Sequence, residues 1–87
     1  MNIVEMKLYF KQNNVPDEYY VIDSLGGGEV DGIGKVDGRW ASYYSERGKK
    51  RDIKYFDTED EACRALIEEV SGIIKEETGT PLPALKP

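Results

Sequence analysis

The side chains able to do chemistry are few, and each has a structural role competing for it. The one cysteine, Cys63, is a nucleophile only with a base beside it, and the chain has no histidine. Its spacing from Leu66, Ile67 and Val70 puts it on an apolar helical stripe, where cysteine behaves as a small hydrophobe. Carboxylates come in runs: Glu59-Asp60-Glu61, Glu68-Glu69 and Glu76-Glu77. General acid–base work needs two of them converging on one reacting group. Residues 59–61 fan around one helical turn, where capping accounts for them, and the others read as solvated helix faces. Asp31 and Asp37 are weak calcium candidates without the spacing of a calcium loop. Gly26-Gly27-Gly28 precedes two acids, Glu29 and Asp31, and no helix signal follows. A phosphate cradle needs a helix N-terminus behind its glycines, so this run reads as a flexible turn. No metal, cofactor or catalytic residue is expected.

The bases are more concentrated. Arg47, Lys49, Lys50, Arg51 and Lys54 are five of the twelve lysines and arginines, packed into eight residues, with Tyr43, Tyr44 and Tyr55 nearby. Positive charge interleaved with aromatic rings is a pattern for binding single-stranded nucleic acid. The whole chain argues the other way. Its 17 acids give a net charge of −5, opposite to the usual nucleic-acid binder. Lysines at a hairpin tip also protect a sheet edge from pairing. For an acidic chain of 87 residues the first reading of this charge is solubility; the second is a basic partner, whose encounter the field speeds more than it tightens the complex.

The elements that must position these residues follow from pattern. Residues 1–79 read as one domain and 80–87 as a Pro-rich flexible tail. Residues 2–13 are ambiguous. Val4, Met6, Leu8 and Phe10 alternate as in a strand, while Ile3, Met6 and Phe10 also share a helical face. Asn13-Asn14-Val15-Pro16 stops either element. Strands are expected at Tyr19–Asp23, Ile33–Val36, Arg39–Ser45 and Ile53–Phe56, with a type I′ hairpin at Asp37-Gly38 and a turn at 47–50. Short connections favour an antiparallel meander. Thr58-Glu59-Asp60-Glu61 is a capping box that opens a long helix. Its stripe, Ala62, Cys63, Leu66, Ile67, Val70, Ile73 and Ile74, must bury one face on the sheet. Gly72 interrupts this helix and Gly79 ends it. No segment approaches a membrane span or a secretory leader, and the free thiol suits a reducing compartment, so the location expected is cytoplasmic.

The segment Trp40-Ala41-Ser42-Tyr43-Tyr44-Ser45-Glu46-Arg47-Gly48, the strand ending Tyr55-Phe56, and then Thr58-Glu59-Asp60-Glu61-Ala62-Cys63 resemble small bacterial immunity proteins. These accompany polymorphic toxins, including contact-dependent growth-inhibition systems. The stop at Asn13-Asn14-Val15-Pro16 and the glycine-rich turn are similar too, so the resemblance runs from Leu8 to Val70. It implies an α+β fold: a short N-terminal helix, a four-stranded antiparallel sheet and a long C-terminal helix packed on one face. It also implies a non-enzymatic antitoxin that occludes a toxin domain, either a nuclease or an NAD-degrading enzyme. The motif residues have structural work available: Trp40 and Tyr44 under the helix, Glu46 and Arg47 pairing across the turn, Gly48 at positive φ. No toxin contact therefore transfers from the motif. Exposed acids and aromatics supply the candidate partner-binding residues Glu29, Asp31, Asp37, Tyr43 and Glu46. The expected partner is a toxin C-terminal domain, with no membrane and no small-molecule substrate. The rival reading is a nucleic-acid-binding or regulatory module that uses the basic hairpin 47–54.

Overall fold

A computed structural model describes residues 1–24 and 28–83. Asn2 and Glu5 open the first helix, α1 (Ile3–Gln12), with a reciprocal cap: the Asn2 side chain accepts from the Glu5 N–H at 2.8 Å, and the Glu5 carboxylate accepts from the Asn2 N–H at 3.1 Å. This satisfies two donors that a helix start leaves free. Met6 and Phe10 are fully buried, whereas Val4 and Leu8 are 75% and 54% exposed. Helical rather than strand periodicity therefore governs the segment. A 3-10 turn (Asp17–Tyr19) leads into the sheet, made of β1 (Tyr20–Ile22), β2 (Val30–Val36), β3 (Arg39–Glu46) and β4 (Lys49–Phe56) in that spatial order.

The expected all-antiparallel meander is corrected at one strand. β2, β3 and β4 are antiparallel, but β1 runs parallel to β2, with Tyr20 opposite Asp31 and Ile22 opposite Ile33. Parallel pairing ordinarily needs a long crossover. Here β1 has three residues, so the chain has to double back only about 10 Å at ~3.3 Å per residue. The turn starts at Asp23, where φ is 54°. The Asp23 N–H still donates to the Ile33 carbonyl at 2.8 Å, and its carboxylate accepts from the Lys35 N–H at 3.3 Å. Of the expected glycine-rich turn, Gly26 and Gly27 lie outside the described residues.

Both hairpins close on two residues at positive φ, Asp37-Gly38 and Arg47-Gly48, the type I′ geometry that matches strand twist. Because so short a turn lets pairing resume at once, β4 begins at Lys49, not at Ile53 as the sequence pattern implies. β4 is an edge strand. A bulge breaks its register between Ser42 and Tyr44 of β3, and Asp52 there has φ 51°. Bulges and lysines are standard protections for such an edge.

Helix α2 (Glu59–Thr78) starts at Thr58, whose hydroxyl oxygen accepts from the Glu61 N–H at 3.1 Å. The Glu61 carboxylate accepts from the Thr58 hydroxyl at 3.1 Å instead of from the cap N–H that the capping box implies. Glu59 accepts from the Ile3 N–H at 2.8 Å, and Asp60 binds both the Met1 ammonium and Arg64. The acids of this first turn therefore also dock α1. Ala62, Cys63, Leu66, Ile67 and Val70 of α2 meet Met6, Phe10, Tyr20 and Ile33 in the core, and Trp40 and Phe56 pack partly buried against them. Past Gly79, the Leu82 N–H donates to Ser71 Oγ at 2.9 Å, and the Tyr9 hydroxyl donates to the Pro83 carbonyl. Residues 84–87 of the expected tail lie outside the described residues. Among those described, no helix is long and apolar enough to cross a membrane.

The other face of the sheet carries a smaller packed cluster. A Cβ placed on Gly32 would come within 2.7 Å of the Tyr43 ring and 2.9 Å of Val21 Cγ2; one on Gly34 would come within 3.1 Å of Asp23 Cα. The two glycines leave a bare strip on β2. Tyr43 lies across it, 3% exposed, and donates its hydroxyl to the Ser24 carbonyl at 2.7 Å.

Candidate functional site

Strand alternation puts Asp31 and Ile33 of β2, and Ser42 and Tyr44 of β3, on the face toward α2. Leu66, Glu69 and Ile73 recur at helical spacing along α2 and face them. Between the two runs is a cleft of about 390 Å³, closed on the β4 side by Asp52 and Lys54. A second hollow of about 280 Å³ continues it toward Tyr19, Glu29 and Glu77, sharing Asp31, Tyr44 and Ile73. Among the described residues the combined lining carries six carboxylates (Glu18, Glu29, Asp31, Asp52, Glu69 and Glu77) against one cation, Lys54. Lys54 and Glu69 approach at 3.8 Å with both side chains more than half exposed, a pairing that water largely screens.

The groups in the cleft are set by their surroundings. Burial pushes the Asp31 carboxyl above its ordinary value, and the nearby Glu69 charge adds to the shift. Ser42 is 7% exposed and lines the cleft. Its hydroxyl has no hydrogen-bond partner among the described residues. Tyr44 donates to Glu29 at 3.1 Å, and Tyr19 donates to Glu77. Both phenols titrate above their ordinary value, Tyr44 first through desolvation and Tyr19 first through its bond to Glu77. The lining thus consists of carboxylates, neutral hydroxyls and apolar walls, a combination that holds cationic groups by charge and hydrogen bonding.

Of the residues picked from sequence, Glu29 and Asp31 come together here. Asp37 sits apart, in the β2–β3 turn, where it accepts from the Tyr55 hydroxyl at 3.5 Å. Tyr43 was expected to be an exposed contact and is buried on the opposite face, because Gly32 lets its ring lie flat. Glu46 is half-buried and pairs with Arg51 at 3.6 Å, not with Arg47: the type I′ turn sends Arg47 outward and brings β4 alongside. Tyr44, Ser42, Glu69, Ile73 and Glu77 were missed as site residues. A signal for them existed, since 69, 73 and 77 repeat every fourth residue on one edge of the apolar stripe, and Ser42 and Tyr44 alternate with Trp40.

The basic strand is partly engaged within the protein. Lys50 lies over the Tyr43 ring at 4.7 Å, Arg51 pairs with Glu46 and Lys54 with Glu69, while Arg39 covers Tyr55 at 4.7 Å. Cys63 is fully buried, and burial above all pushes its thiol up to about 11, so thiolate is scarce near neutral pH. Among the described residues no three of His, Cys, Asp and Glu are arranged to hold a metal ion. No protein-family model, no curated protein and no solved structure matches this chain.

Proposed function

We propose that this chain is an immunity protein, a non-enzymatic antitoxin that acts in the cytoplasm by covering the active site or substrate path of a cognate toxin domain. The observation that carries the reading is the cleft between α2 and the sheet with the hollow that continues it, where six carboxylates and one lysine are found among the described lining residues. Concentrating like charge in one hollow costs stability through self-repulsion. A basic protein surface relieves that cost on binding, and complementary fields favour its capture. The resemblance of residues 40–63 to immunity proteins supports the same reading. A toxin with a basic substrate groove, as a nuclease has, suits the cleft by charge; an NAD-degrading toxin would be blocked by bulk instead.

The test is co-expression with the C-terminal domain of a large secreted protein encoded beside this chain. Rescue of growth and a stable complex of the two purified proteins are expected. Failure to rescue overturns the reading. Reversing Lys49, Lys50 and Arg51 to glutamate should leave rescue intact. If those changes instead abolish a strongly salt-dependent binding of single-stranded nucleic acid, the chain is the nucleic-acid module that its basic hairpin suggests.

A further inference from the structure

We infer that the deep part of the cleft, between β2, β3 and α2, is a receptor for one arginine side chain presented by the partner protein. The identity of the presenter rests on the immunity reading; the chemistry of the receptor does not.

Two polar groups there have no protein partner among the described residues and are open to a ligand. Ser42 is 7% exposed and its hydroxyl has no protein partner among the described residues; since no side-chain oxygen fully shut from solvent lacks one there, the open part of Ser42 Oγ faces the cleft that the residue lines. A ligand donor or acceptor placed there takes the position of a water. Asp31, half-buried on the neighbouring strand, has no ion pair or hydrogen bond of its own side chain among the described residues. A desolvated carboxylate without a cation is costly. The register places Asp31 directly opposite Tyr44 and Ser42 opposite Ile33, so the two unmet groups are diagonal neighbours on one face, separated by about 7–8 Å at most.

The walls decide which cation fits. Tyr44 supplies an aromatic ring, and Leu66 and Ile73 supply apolar surface. A planar guanidinium stacks on a ring, forks onto a carboxylate with two N–H groups and has others left for a hydroxyl. Its aliphatic stem covers Leu66 and Ile73. A lysine ammonium is a compact, strongly hydrated charge that gains little from those walls. A metal ion lacks a ligand set, since among the described residues no three suitable donors converge. Glu69 and Asp52 add attraction from α2 and β4. Among the described lining residues Lys54 is the one opposing charge, and its side chain is mostly exposed.

The experiment is an NMR titration of the full chain, at low ionic strength, with N-acetyl-arginine amide and separately with N-acetyl-lysine amide. Arginine should give saturable shifts confined to Asp31, Ser42, Tyr44 and Ile73, with lysine binding roughly tenfold more weakly. Asp31→Asn and Ser42→Ala should each weaken the arginine isotherm, and Glu69→Gln should do so less; a native spectrum verifies folding for each variant. Equal binding of the two probes, or shifts scattered over all acidic surfaces, overturns the proposal. Saturable arginine binding without rescue in co-expression keeps the receptor and discards the toxin. Rescue without arginine selectivity keeps the toxin and discards the receptor.

Discussion

Two residues of β2 show how much a single position decides. Gly32 precedes the strand expected from sequence, which begins at Ile33, but it lies within β2 and is the bare patch on which Tyr43 lies. Gly32→Ala puts a methyl within 2.7 Å of that ring and 2.9 Å of Val21, and neither neighbour is a free chain end. Overpacking of this kind costs about 1–3 kcal/mol, to be read as a lower urea midpoint with an unchanged slope. Asp31, one residue away, behaves oppositely. Its carboxyl titrates above 3.8 because burial and Glu69 disfavour the charge. A raised carboxyl means that the folded state holds its proton to higher pH than the unfolded chain does. The penalty is therefore absent below 3.8 and complete once pH passes the folded value. Asp31→Asn should raise the thermal midpoint at pH 7 and leave it unchanged at pH 3. If the same variant loses its partner, the residue trades stability for binding. The sequence marked Asp31 as an acid outside any helix. It carried no sign that Asp31 would be desolvated, because that depends on α2 crossing above it.

Elements were legible in proportion to how locally they are determined. α2 was readable from Thr58 to Gly79 because cap, stripe and stop all lie within one segment. The two-residue turn at Asp37-Gly38 was equally local. α1 was ambiguous because its apolar residues satisfy both periods, and only the burial of Met6 and Phe10 against α2 selects the helix. The parallel pairing of β1 was not readable, since it depends on a three-residue strand and on the left-handed backbone of Asp23 just after it. Gly72 remains a local exception in α2. It is exposed, and a Cβ there would meet nothing within 4 Å, so packing gives it no reason. Gly72→Ala should stabilise the protein by about 0.5–1 kcal/mol through helix propensity and a less free unfolded chain. A chemical denaturation curve that fails to move to higher midpoint would mean that helix propensity does not govern stability at this position.

Across the whole molecule, the −5 charge is uneven but not split into two clean poles. Tyr44 of the acidic cleft is opposite Arg51, and Ser45 is opposite Lys50, so the basic edge strand borders the cleft one strand away. Glu46–Arg51 and Lys54–Glu69 tie the two regions together. That arrangement separates two contributions to binding a basic partner. The exposed rim carboxylates, Glu29 and Glu77, act at a distance. They steer encounter, and salt screens them over a Debye length of about 10 Å at 0.1 M. Asp31 and Ser42 act only after contact, on a group already inserted. Replacing both Glu29 and Glu77 by glutamine should therefore lower the association rate and flatten its salt dependence, with the dissociation rate nearly unchanged. Asp31→Asn should do the reverse: faster dissociation, by roughly tenfold or more for a lost charge-assisted pair, with the salt slope of association kept. Stopped-flow association at several ionic strengths, paired with dissociation by competitor chase, distinguishes the two. If Asp31→Asn alters only the association rate, the carboxylate is part of the field, and the cleft has no inserted cation to hold.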